Sequence, residues 1–495
     1  MPNETMPNFI NKRAFLTPDR TAVYFQEKTY SFKELYDRSL KVAGQLQALG
    51  LQQDQYVGVL LKNHLDTVVI LFALQLLGVK AVILNNRLTP AELAWQLNDS
   101  KASFLVLEEA FEKMELEQLS RVKTITTERL FQVEPVEPAI IDEISLSDIC
   151  TIMYTSGTTG NPKGVMQTYG NHWWSSVGSA LNLGQMESDC WLCSVPLFHI
   201  SGFSILMRSV IYGMPIVLHD HFDVERTITD IQEKKVTIMS VVGTMLTGIV
   251  EALNDRRLPD QFRCMLLGGG PAALPLLQAC VEKEIPVFQT YGMTESSSQI
   301  VTLSPEYSLA KLGSAGKTLF PAQLKIVLDN GCPAKAGEAG EIAVKGANVT
   351  QGYLYRPEAT KEKFRDGWFY TGDIGYMDEE GFLYVIDRRS DLIISGGENI
   401  YPAEIEAVLL AHPSVADAGV TRIDDLKWGQ VPAAFIVKRE DITKDELQQF
   451  CHTHLAKYKV PKAFYFVEKL PRNAAKKLLR RELREWVADN ENRLN

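Results

Sequence analysis

The chain has 495 residues, of which 45% are hydrophobic and 23% are charged, and its formal net charge is -10 at pH 7. This length predicts at least two domains, and the acidic balance argues against nucleic acid as a partner. Seven cysteines in so long a chain do not suit a disulfide framework and indicate a reducing, cytoplasmic setting. Cys190 and Cys193 lack a second pair at metal-site spacing, so we expect both to be ordinary core residues.

We expect neither a targeting signal nor an integral membrane association. The first residues are polar, unlike a signal peptide, and the last three match neither a prenylation box nor a peroxisomal address. The most apolar stretch, residues 67–84, contains Gln75, Gly78 and Lys80. These residues favour a buried helix followed by a strand over a membrane-spanning helix.

Residues 155–164 are rich in glycine and hydroxyl groups, and they follow an apolar run at 149–154 that predicts a buried strand. Glycine lets backbone N–H groups approach a ligand from several directions. The hydroxyls add hydrogen-bond donors and the lysine adds a positive charge. This composition therefore favours a loop that binds a polyphosphate over a plain surface loop. The candidate ligand-binding residues are Thr155, Ser156, Gly157, Thr158, Thr159 and Lys163.

Apolar strands alternate with helical patterns through the first three-quarters of the chain, which predicts an α/β fold. One unit is clear: a strand at 264–267, a glycine triplet at 268–270, a helix over 275–284 and a strand at 286–290. Ligands bind outside the carboxyl ends of strands in open parallel sheets. We therefore expect the triplet and the residues after the second strand to meet the phosphate loop around one ligand.

A domain boundary is expected near residues 387–391, where a predicted strand at 382–386 ends in a charged cluster. The segment beyond it has the size and pattern of a complete small α+β domain. Its predicted elements are a helix at 404–410, strands at 415–420, 433–437 and 463–467, and a helix that begins at Thr443 with a capping box to Glu446.

Five motifs in order resemble those of the adenylate-forming enzymes, which include acyl- and aryl-CoA synthetases, luciferases and peptide-synthetase adenylation domains. The first is the phosphate loop, whose spacing differs from that of a Walker loop. The others are Tyr-Gly-Met-Thr-Glu at 291–295, Tyr-Thr-Gly-Asp at 370–373, Asp-Arg at 387–388, and the pair Ile-Ile-Ser-Gly-Gly-Glu-Asn-Ile at 393–400 and Pro-Ala-Glu-Ile-Glu at 402–406. The resemblance covers nearly the whole chain.

The resemblance implies an α/β protein with a large N-terminal domain, residues 1–387, built from two stacked αβ sheets and a small β-barrel. A hinge at 388–391, around Ser390 and Asp391, would join it to a smaller mobile α+β domain at 392–495. In this family a carboxylate attacks ATP to form an acyl-adenylate, and a thiolate then displaces AMP. Two anions must meet, so the site has to supply positive charge and hydrogen-bond donors. ATP, Mg²⁺ and coenzyme A are the implied cofactors.

The resemblance also implies a role for each matching residue. The loop hydroxyls and Lys163 would hold the β- and γ-phosphates, Thr294 the α-phosphate, and Glu295 would bind Mg²⁺, a cation that prefers oxygen ligands. The ribose candidates are Asp373 and Arg388. The residues that would frame the adenine are Gly268, Gly269, Gly270 and Tyr291. The remaining nucleotide and CoA-path candidates are Gln289, Gly292, Met293, Gly396 and Gly397.

The family has a catalytic lysine near the C-terminus, within Ser/Thr-Gly-Lys, and this sequence departs from that motif. Ala475 and Lys476 replace the hydroxyl and the glycine. The flanking residues favour Lys477 as the catalytic lysine, with Lys476 as the alternative register. A turn without glycine is stiffer, and the sequence leaves open whether adenylation is slowed by the change.

The segment 196–202 begins the acid pocket in this family, and the apolar helix predicted at 203–212 carries a single charge, Arg208. That arginine either pairs with a structural carboxylate or receives a second carboxylate of the substrate, whose geometry it matches. The pattern is most similar to ligases that activate an aromatic dicarboxylate, so we expect a small-molecule substrate of that class. The other pocket candidates are His199, Ser240, Val242, Gly243, Thr244, Ser296, Ser297 and Ser298, with His199 also a catalytic candidate.

Three functional hypotheses follow. We favour an ATP-dependent acid–CoA ligase, most similar to those that act on aromatic dicarboxylates. The second is an adenylating enzyme that loads a carrier protein, and the third is a degenerate nucleotide-binding module, suggested by the altered residues 475–476. The sequence leaves a homo-oligomer open.

Overall fold

The computed structural model describes residues 4–88, 90–112, 122–155, 162–270, 272–388, 391, 393–395, 398–400, 402–425, 428–455, 457–472 and 478–494. Eight of the predicted site residues lie outside these ranges: Ser156, Gly157, Thr158, Thr159, Ser390, Gly396, Gly397 and Lys477.

Two α/β sheets make up most of the N-terminal part, as the alternating pattern predicted. Both are parallel in their centres and gain antiparallel strands at their edges. The first runs in the order Lys163–Thr168, Ile149–Thr155, Lys80–Ile83, Tyr56–Leu60, Phe104–Leu107 and Lys123–Thr126. The second runs in the order Lys317–Thr318, Ser298–Leu303, Val287–Met293, Cys264–Gly268, Ile238–Val242, Trp191–Cys193, Ile216–Leu218, Thr21–Phe25 and Lys28–Ser31.

The main hydrophobic core joins the two sheets. It contains residues of both sheets together with the helix Leu65–Leu76, which is buried along nearly its whole length. A second cluster covers the other face of the first sheet beside the helix Pro90–Asp99. Strands covered on both faces read as continuous apolar runs rather than alternating ones. The prediction of a buried helix followed by a strand at 67–84 is thus confirmed.

Two helices of this part illustrate how capping and periodicity set the ends of a helix. Phe32–Ala48 starts with a capping box between Ser31 and Glu34, and the predicted helix at 275–284 is Leu274–Glu282. The other helices are Phe9–Leu16, Glu109–Glu112, Thr127–Leu130, Tyr169–Leu183, Ile200–Tyr212, Val224–Glu233, Gly243–Leu253 and Pro357–Lys363. Short 3-10 turns lie at Thr294–Ser296 and Pro305–Tyr307.

A smaller antiparallel sheet follows the two large ones. Its strands are Gln323–Val327, Gly340–Lys345, Trp368–Met377, Phe364–Arg365 and Leu383–Arg388, the last pairing with Trp368–Met377. A small β-barrel was expected here. Among the described residues, the hydrogen-bonded strands form an open sheet. A separate two-stranded ribbon pairs Thr5–Pro7 with Glu143–Ser145.

The C-terminal part is an α+β unit with its own apolar core, as predicted. All five expected elements are present, and the capping box of Thr443 and Glu446 opens the helix Lys444–His454. The sheet runs Glu398–Ile400, Ile393–Ser395, Gly429–Lys438 and Val415–Asp425, with Ala463–Phe466 parallel to Gly429–Lys438. The helices are Pro402–Leu410, Lys444–His454 and Arg480–Leu494, with a 3-10 turn at Lys457–Lys459.

The cysteines and the helices answer two further questions raised by the sequence. All seven cysteines are free thiols, and Cys190 and Cys193 are buried, as expected of core residues. Within the described ranges, every helix is too short or too polar to cross a bilayer.

Candidate active site

The two ends of the phosphate loop are held by an antiparallel pair of strands. Ile149–Thr155 pairs with Lys163–Thr168, and Thr155 lies opposite Lys163. The Thr155 hydroxyl donates to the Lys163 carbonyl over 3.5 Å. The pairing explains why an apolar run precedes the loop, because Ile149–Thr155 is a largely buried strand of the first sheet.

Lys163 and Glu295 meet at one aromatic ring. The Lys163 ammonium lies 5.4 Å from the centroid of the Tyr353 ring. The Tyr353 hydroxyl donates to Glu295 Oε1 over 3.0 Å. The structure therefore brings together the lysine predicted to bind phosphate and the carboxylate predicted to bind Mg²⁺, which the sequence separates by more than a hundred residues, and it adds a tyrosine that sequence reasoning missed.

The backbone that carries Glu295 is fixed at three successive carbonyls. Thr294–Ser296 is a 3-10 turn directly after the strand Val287–Met293. Its carbonyls accept hydrogen bonds from Gln167 Nε2 (2.9 Å, to Thr294), the Thr350 backbone N–H (2.7 Å, to Glu295) and Asn348 Nδ2 (3.2 Å, to Ser296). A carboxylate mounted on such a turn is held in place before any ligand binds, which is what a metal- and phosphate-binding group needs.

Tyr291 and Asp373, predicted to contact adenine and ribose, touch each other. The Tyr291 hydroxyl donates to Asp373 Oδ2 over 2.8 Å. Asp373 lies on the strand Trp368–Met377, opposite Arg388 in the neighbouring strand. A ribose hydroxyl that donates to Asp373 would share or replace the tyrosine's hydrogen bond. The two predicted nucleoside contacts therefore belong to one site.

The glycines near this edge have different physical reasons. Gly268 ends the strand Cys264–Gly268, and Gly269 has a φ of +90°, where a side chain would be strained. A Cβ on Gly270 would meet nothing within 4 Å, so there is open space for a ligand beside it. A Cβ on Gly292 would lie 2.1 Å from the Ser298 carbonyl oxygen, so this glycine is required by packing. The Met293 N–H donates to Ser296 Oγ over 3.0 Å, which closes the turn that follows.

Arg208 is buried without a carboxylate. It lies on the helix Ile200–Tyr212, its exposed fraction is 1%, and no salt bridge to it is present among the described residues. Its Nη2 donates to Ser298 Oγ over 3.2 Å, and its guanidinium carbon lies 5.1 Å from the Trp191 ring centroid. Its Nε has no hydrogen-bond partner in the described structure. Burial lowers the pKa of Arg208. The structural-carboxylate interpretation of this residue finds no support here.

Other polar groups at the predicted acid pocket are buried and unsatisfied. The side chains of Gln299 (both polar atoms), Ser297 (Oγ) and Gln289 (Nε2) lack partners within the part of the chain described. Ser297 and Ser298 have positive φ values of 54° and 112°, an uncommon backbone geometry for serine. Buried unpaired polar groups are costly in a finished core. Ser297 and Gln299 flank Ser298, to which Arg208 donates, so the unpaired groups of these two residues indicate a surface that a polar ligand completes.

The remaining predicted pocket residues divide between wall and rim. Ser240 is buried and accepts a hydrogen bond from Trp191 Nε1 over 3.1 Å, so it supports the ring beneath Arg208. Val242, Gly243 and Thr244 lie where the strand Ile238–Val242 meets the next helix, half-buried or exposed at the carboxyl edge of the sheet.

His199 precedes the helix Ile200–Tyr212, and its ring contacts the Phe198 ring at a centroid distance of 4.6 Å. Its Nε2 is buried and has no partner within the described ranges. Burial, with a further contribution from the charge of Arg87, lowers the pKa of His199 to about 4. The imidazole is therefore neutral at pH 7 and offers one donor and one acceptor rather than a charge.

The residues that sequence reasoning missed are those that support the site from other elements. Gln167, Asn348, Thr350 and Tyr353 all contact the segment that carries Glu295. The stretch 348–353 lies far from any recognised motif, and nothing in its spacing pointed to the site. Gln167 lies only four residues after Lys163, and this closeness to the phosphate loop is the one signal available.

Comparisons with known proteins agree with this geometry. The family profile described as AMP-binding enzyme matches residues 10–354, and that described as AMP-binding enzyme C-terminal domain matches residues 404–477. A relative named 2-succinylbenzoate–CoA ligase, from Geobacillus kaustophilus (strain HTA426), is 57% identical over 489 residues, which cover 98% of this chain and 99% of that protein. A relative of the same name from Bacillus cereus (strain Q1) is 54% identical and covers 98% and 100% of the two chains.

Solved structures give the same result. The o-succinylbenzoate CoA synthetase from Bacillus subtilis, in complex with the acyl-adenylate intermediate OSB-AMP, superposes with a TM-score of 0.94 at 51% identity. The match covers 97% of this chain and 98% of that chain. The same enzyme in complex with ATP and magnesium ion also has a TM-score of 0.94, at 50% identity, with 97% and 100% covered.

Proposed function

Because the chain belongs to the family of AMP-binding enzymes, we propose that it is an ATP-dependent 2-succinylbenzoate–CoA ligase. It converts 2-succinylbenzoate, ATP and CoA to 2-succinylbenzoyl-CoA, AMP and diphosphate, a step of menaquinone biosynthesis. Support comes from curated relatives of that name, which are 53–57% identical over nearly the whole chain. The reaction takes place in the cytoplasm.

Arg208 carries the proposal for the substrate. Desolvating an arginine without a counter-ion costs several kcal/mol, and the described structure offers none. The second carboxylate of an aromatic dicarboxylate supplies the missing charge, with Ser298 Oγ as a neighbouring polar group. A monocarboxylate of the same shape leaves the guanidinium unpaired. The pocket therefore selects dicarboxylates by the cost of leaving Arg208 without a partner.

The nucleotide half of the site supplies the positive charge and the donors that adenylation requires. Lys163 and the phosphate loop bind the β- and γ-phosphates, and Thr294 binds the α-phosphate. Glu295 would hold Mg²⁺, since a carboxylate oxygen on a fixed turn suits that ion, and the hydroxyl of Tyr353 orients the carboxylate. When bound, the ion neutralises phosphate charge as diphosphate leaves. Asp373 and Tyr291 orient the ribose and the adenine.

The second half-reaction uses a different orientation of the C-terminal domain. In our proposal Lys477 withdraws, and Gly396 and Gly397 move beside the CoA path. Of the two hinge candidates, Asp391 is tied to the C-terminal domain, because Arg480 Nη1 lies 3.2 Å from Asp391 Oδ2. Arg480 also binds Glu406 Oε2 at 2.6 Å. The pivot therefore lies before Asp391, which favours Ser390.

Diphosphate–ATP isotope exchange tests the proposal. Three acids are compared: 2-succinylbenzoate and the two analogues that each lack one of its carboxylates, 2-butyrylbenzoate and 4-oxo-4-phenylbutanoate. We expect exchange with the dicarboxylate at low concentration, and thioester formation when CoA is added. Equal kcat/KM for an analogue would contradict the role of Arg208. Silence with all three acids, or product with a carrier protein but not with CoA, would contradict the function.

A further inference from the structure

A chain of buried polar side chains runs from the helix Tyr169–Leu183 to the turn that carries Glu295. His172 Nε2 lies 3.0 Å from Thr151 Oγ1. The Thr151 hydroxyl donates to Gln167 Oε1 over 2.7 Å, and Gln167 Nε2 donates to the Thr294 carbonyl over 2.9 Å. The exposed fractions of the three side chains are 1% for His172, 1% for Thr151 and 0% for Gln167.

Each hydrogen bond in this chain has a single allowed direction. The amide nitrogen of Gln167 donates to a carbonyl, so its oxygen faces Thr151 and can only accept. The one hydroxyl proton of Thr151 is therefore used toward Gln167, and Thr151 Oγ1 must accept from His172. It follows that His172 carries its proton on Nε2. A neutral ring agrees with its burial, which, with the charge of Arg208, lowers the pKa of His172 to about 3.

The position of this chain of hydrogen bonds within the fold shows which segments it connects. Thr151 and Gln167 lie directly opposite each other on Ile149–Thr155 and Lys163–Thr168, the two strands that hold the ends of the phosphate loop. Thr294 begins the turn that presents Glu295. The chain thus joins the phosphate-binding loop to the carboxylate turn through the core. Apolar residues of similar volume would fill the same space without needing partners.

We propose that His172, Thr151 and Gln167 are positioning residues that set the phosphate loop and the Glu295 turn in register for Mg²⁺-bound ATP. None of the three touches the reacting atoms. Gln167 holds the Thr294 carbonyl, Thr151 orients the Gln167 amide, and His172 fixes the Thr151 hydroxyl. The proposal rests on the proposed adenylation function only in its choice of ATP and Mg²⁺ as ligands.

The test uses the pair Thr151→Val and Thr151→Ser. Valine removes the hydroxyl at nearly constant volume, whereas serine retains it. For Thr151→Val we expect about a tenfold weaker binding of ATP in the presence of Mg²⁺, the low end of what losing an outer support of a metal site costs. ATP binding without Mg²⁺ should change less, and thioester formation from supplied acyl-adenylate should stay at the wild-type rate. Thr151→Ser should behave like the wild type.

A second pair tests the inferred proton position. A glutamine amide at 172 can place an N–H near the imidazole Nε2, so His172→Gln should retain most of the Mg²⁺-dependent affinity, while His172→Phe should lose it. If Thr151→Val matched Thr151→Ser, or weakened both half-reactions equally alongside a lower Tm, the positioning role would be overturned. ATP binding needs no acid. If the wild type bound MgATP but activated no acid, the proposed function would be contradicted. The positioning role inferred for His172, Thr151 and Gln167 would still stand.

Discussion

Two arginines, one half-buried and one fully buried, contrast a guanidinium in a structural ion pair with the guanidinium that we propose binds a ligand. Arg263 is paired with Asp189, Nη2 to Oδ2 at 2.6 Å and Nε to Oδ1 at 2.7 Å. Arg208 is more deeply buried, yet its side-chain partners among the described residues are the hydroxyls of Ser298 and Tyr212, and no described carboxylate pairs with it. An unpaired buried charge is otherwise strongly destabilising. This contrast within one molecule is the strongest local argument that Arg208 awaits a substrate carboxylate.

We expect Arg208→Gln to lower kcat/KM for 2-succinylbenzoate by about 10²-fold, the upper range for a hydrogen bond to a charged group. The analogue that lacks the non-reacting carboxylate should be affected far less, because it makes no ion pair with Arg208. Adenylation kinetics with both acids provide the measurement. An equal loss for both acids would mean that Arg208 shapes the pocket instead of binding the carboxylate.

The Asp189 pair makes a prediction about stability and pH. Burial acts to raise the pKa of Asp189, but hydrogen bonds from Arg263, the Met186 N–H and Thr237, with the charge of Arg263, outweigh it and lower the pKa below its usual value. A carboxyl with a depressed folded-state pKa stabilises the fold above its unfolded pKa, about 4. That contribution is lost as the pH falls through the folded-state pKa.

Asp189→Asn should therefore cost about 3 kcal/mol at pH 7, because it leaves Arg263 without its counter-ion. The difference from the wild type should begin to shrink as the pH falls below about 4 and should vanish below the lowered folded-state pKa, where the wild-type carboxyl is itself protonated. Denaturant unfolding at several pH values measures both effects. A difference that stayed constant down to acid pH would show that the charge of Asp189 is not what stabilises this region.

At the scale of elements, the strand-to-turn transition at residues 287–298 contributes most to the site, because it positions Glu295. The strand Val287–Met293 belongs to the second sheet and is followed by the turn Thr294–Ser296. The strand Ser298–Leu303 then pairs antiparallel with Val287–Met293. Close approach at Gly292 keeps this reversal tight, and the turn that follows places the Glu295 carboxylate against the Tyr353 hydroxyl. Glycine is needed there because any side chain would collide with backbone, which cannot move aside as a flexible side chain can.

The glycines at 292 and 270 form a matched pair for testing this. Gly292→Ala should destabilise the fold by about 1–3 kcal/mol, the usual cost of overpacking, and raise the KM for ATP by displacing the turn. Gly270→Ala meets open space, so its Tm should stay at the wild-type value. If Gly270→Ala raised the KM for ATP while its Tm stayed unchanged, the added methyl group would be in contact with the nucleotide. Thermal unfolding and adenylation kinetics distinguish the two, and a lower Tm for Gly270→Ala would contradict the open geometry.

The whole molecule has separate cores on the two sides of the expected boundary, which suits a C-terminal domain that changes orientation. Arg480, at the start of the last helix, ties the boundary residue Asp391 to Glu406 in the C-terminal domain. In our proposal the domain turns as a unit, with Asp391 moving together with it. Such a motion would let one small domain serve two half-reactions in turn.

Substitution of Lys477 tests whether the C-terminal domain serves the two half-reactions in different orientations. Lys477→Ala should slow adenylation by about 10²–10⁴-fold, the scale of losing one preorganised charged contact, and leave thioester formation from supplied acyl-adenylate intact. Lys476→Ala serves as the matched control and should adenylate like the wild type. Single-turnover measurements of each half-reaction decide the matter. Equal loss of both half-reactions in Lys477→Ala would contradict the proposed rotation, and a loss confined to Lys476→Ala would shift the register by one residue.

Short motifs and periodic patterns were enough to predict the reaction class, the α/β class and most of the strands and helices, and they singled out Lys163, Glu295 and Asp373 as candidate site residues. These features depend on local composition and on residue order, both of which can be read from the chain. Only the tertiary structure decided that Arg208 has no carboxylate partner among the described residues, that Tyr353 joins Lys163 to Glu295, and that a buried chain of hydrogen bonds from His172 reaches Thr294. The reason is physical: a missing partner or a contact between distant segments is a property of packing, and no pattern along one chain records it.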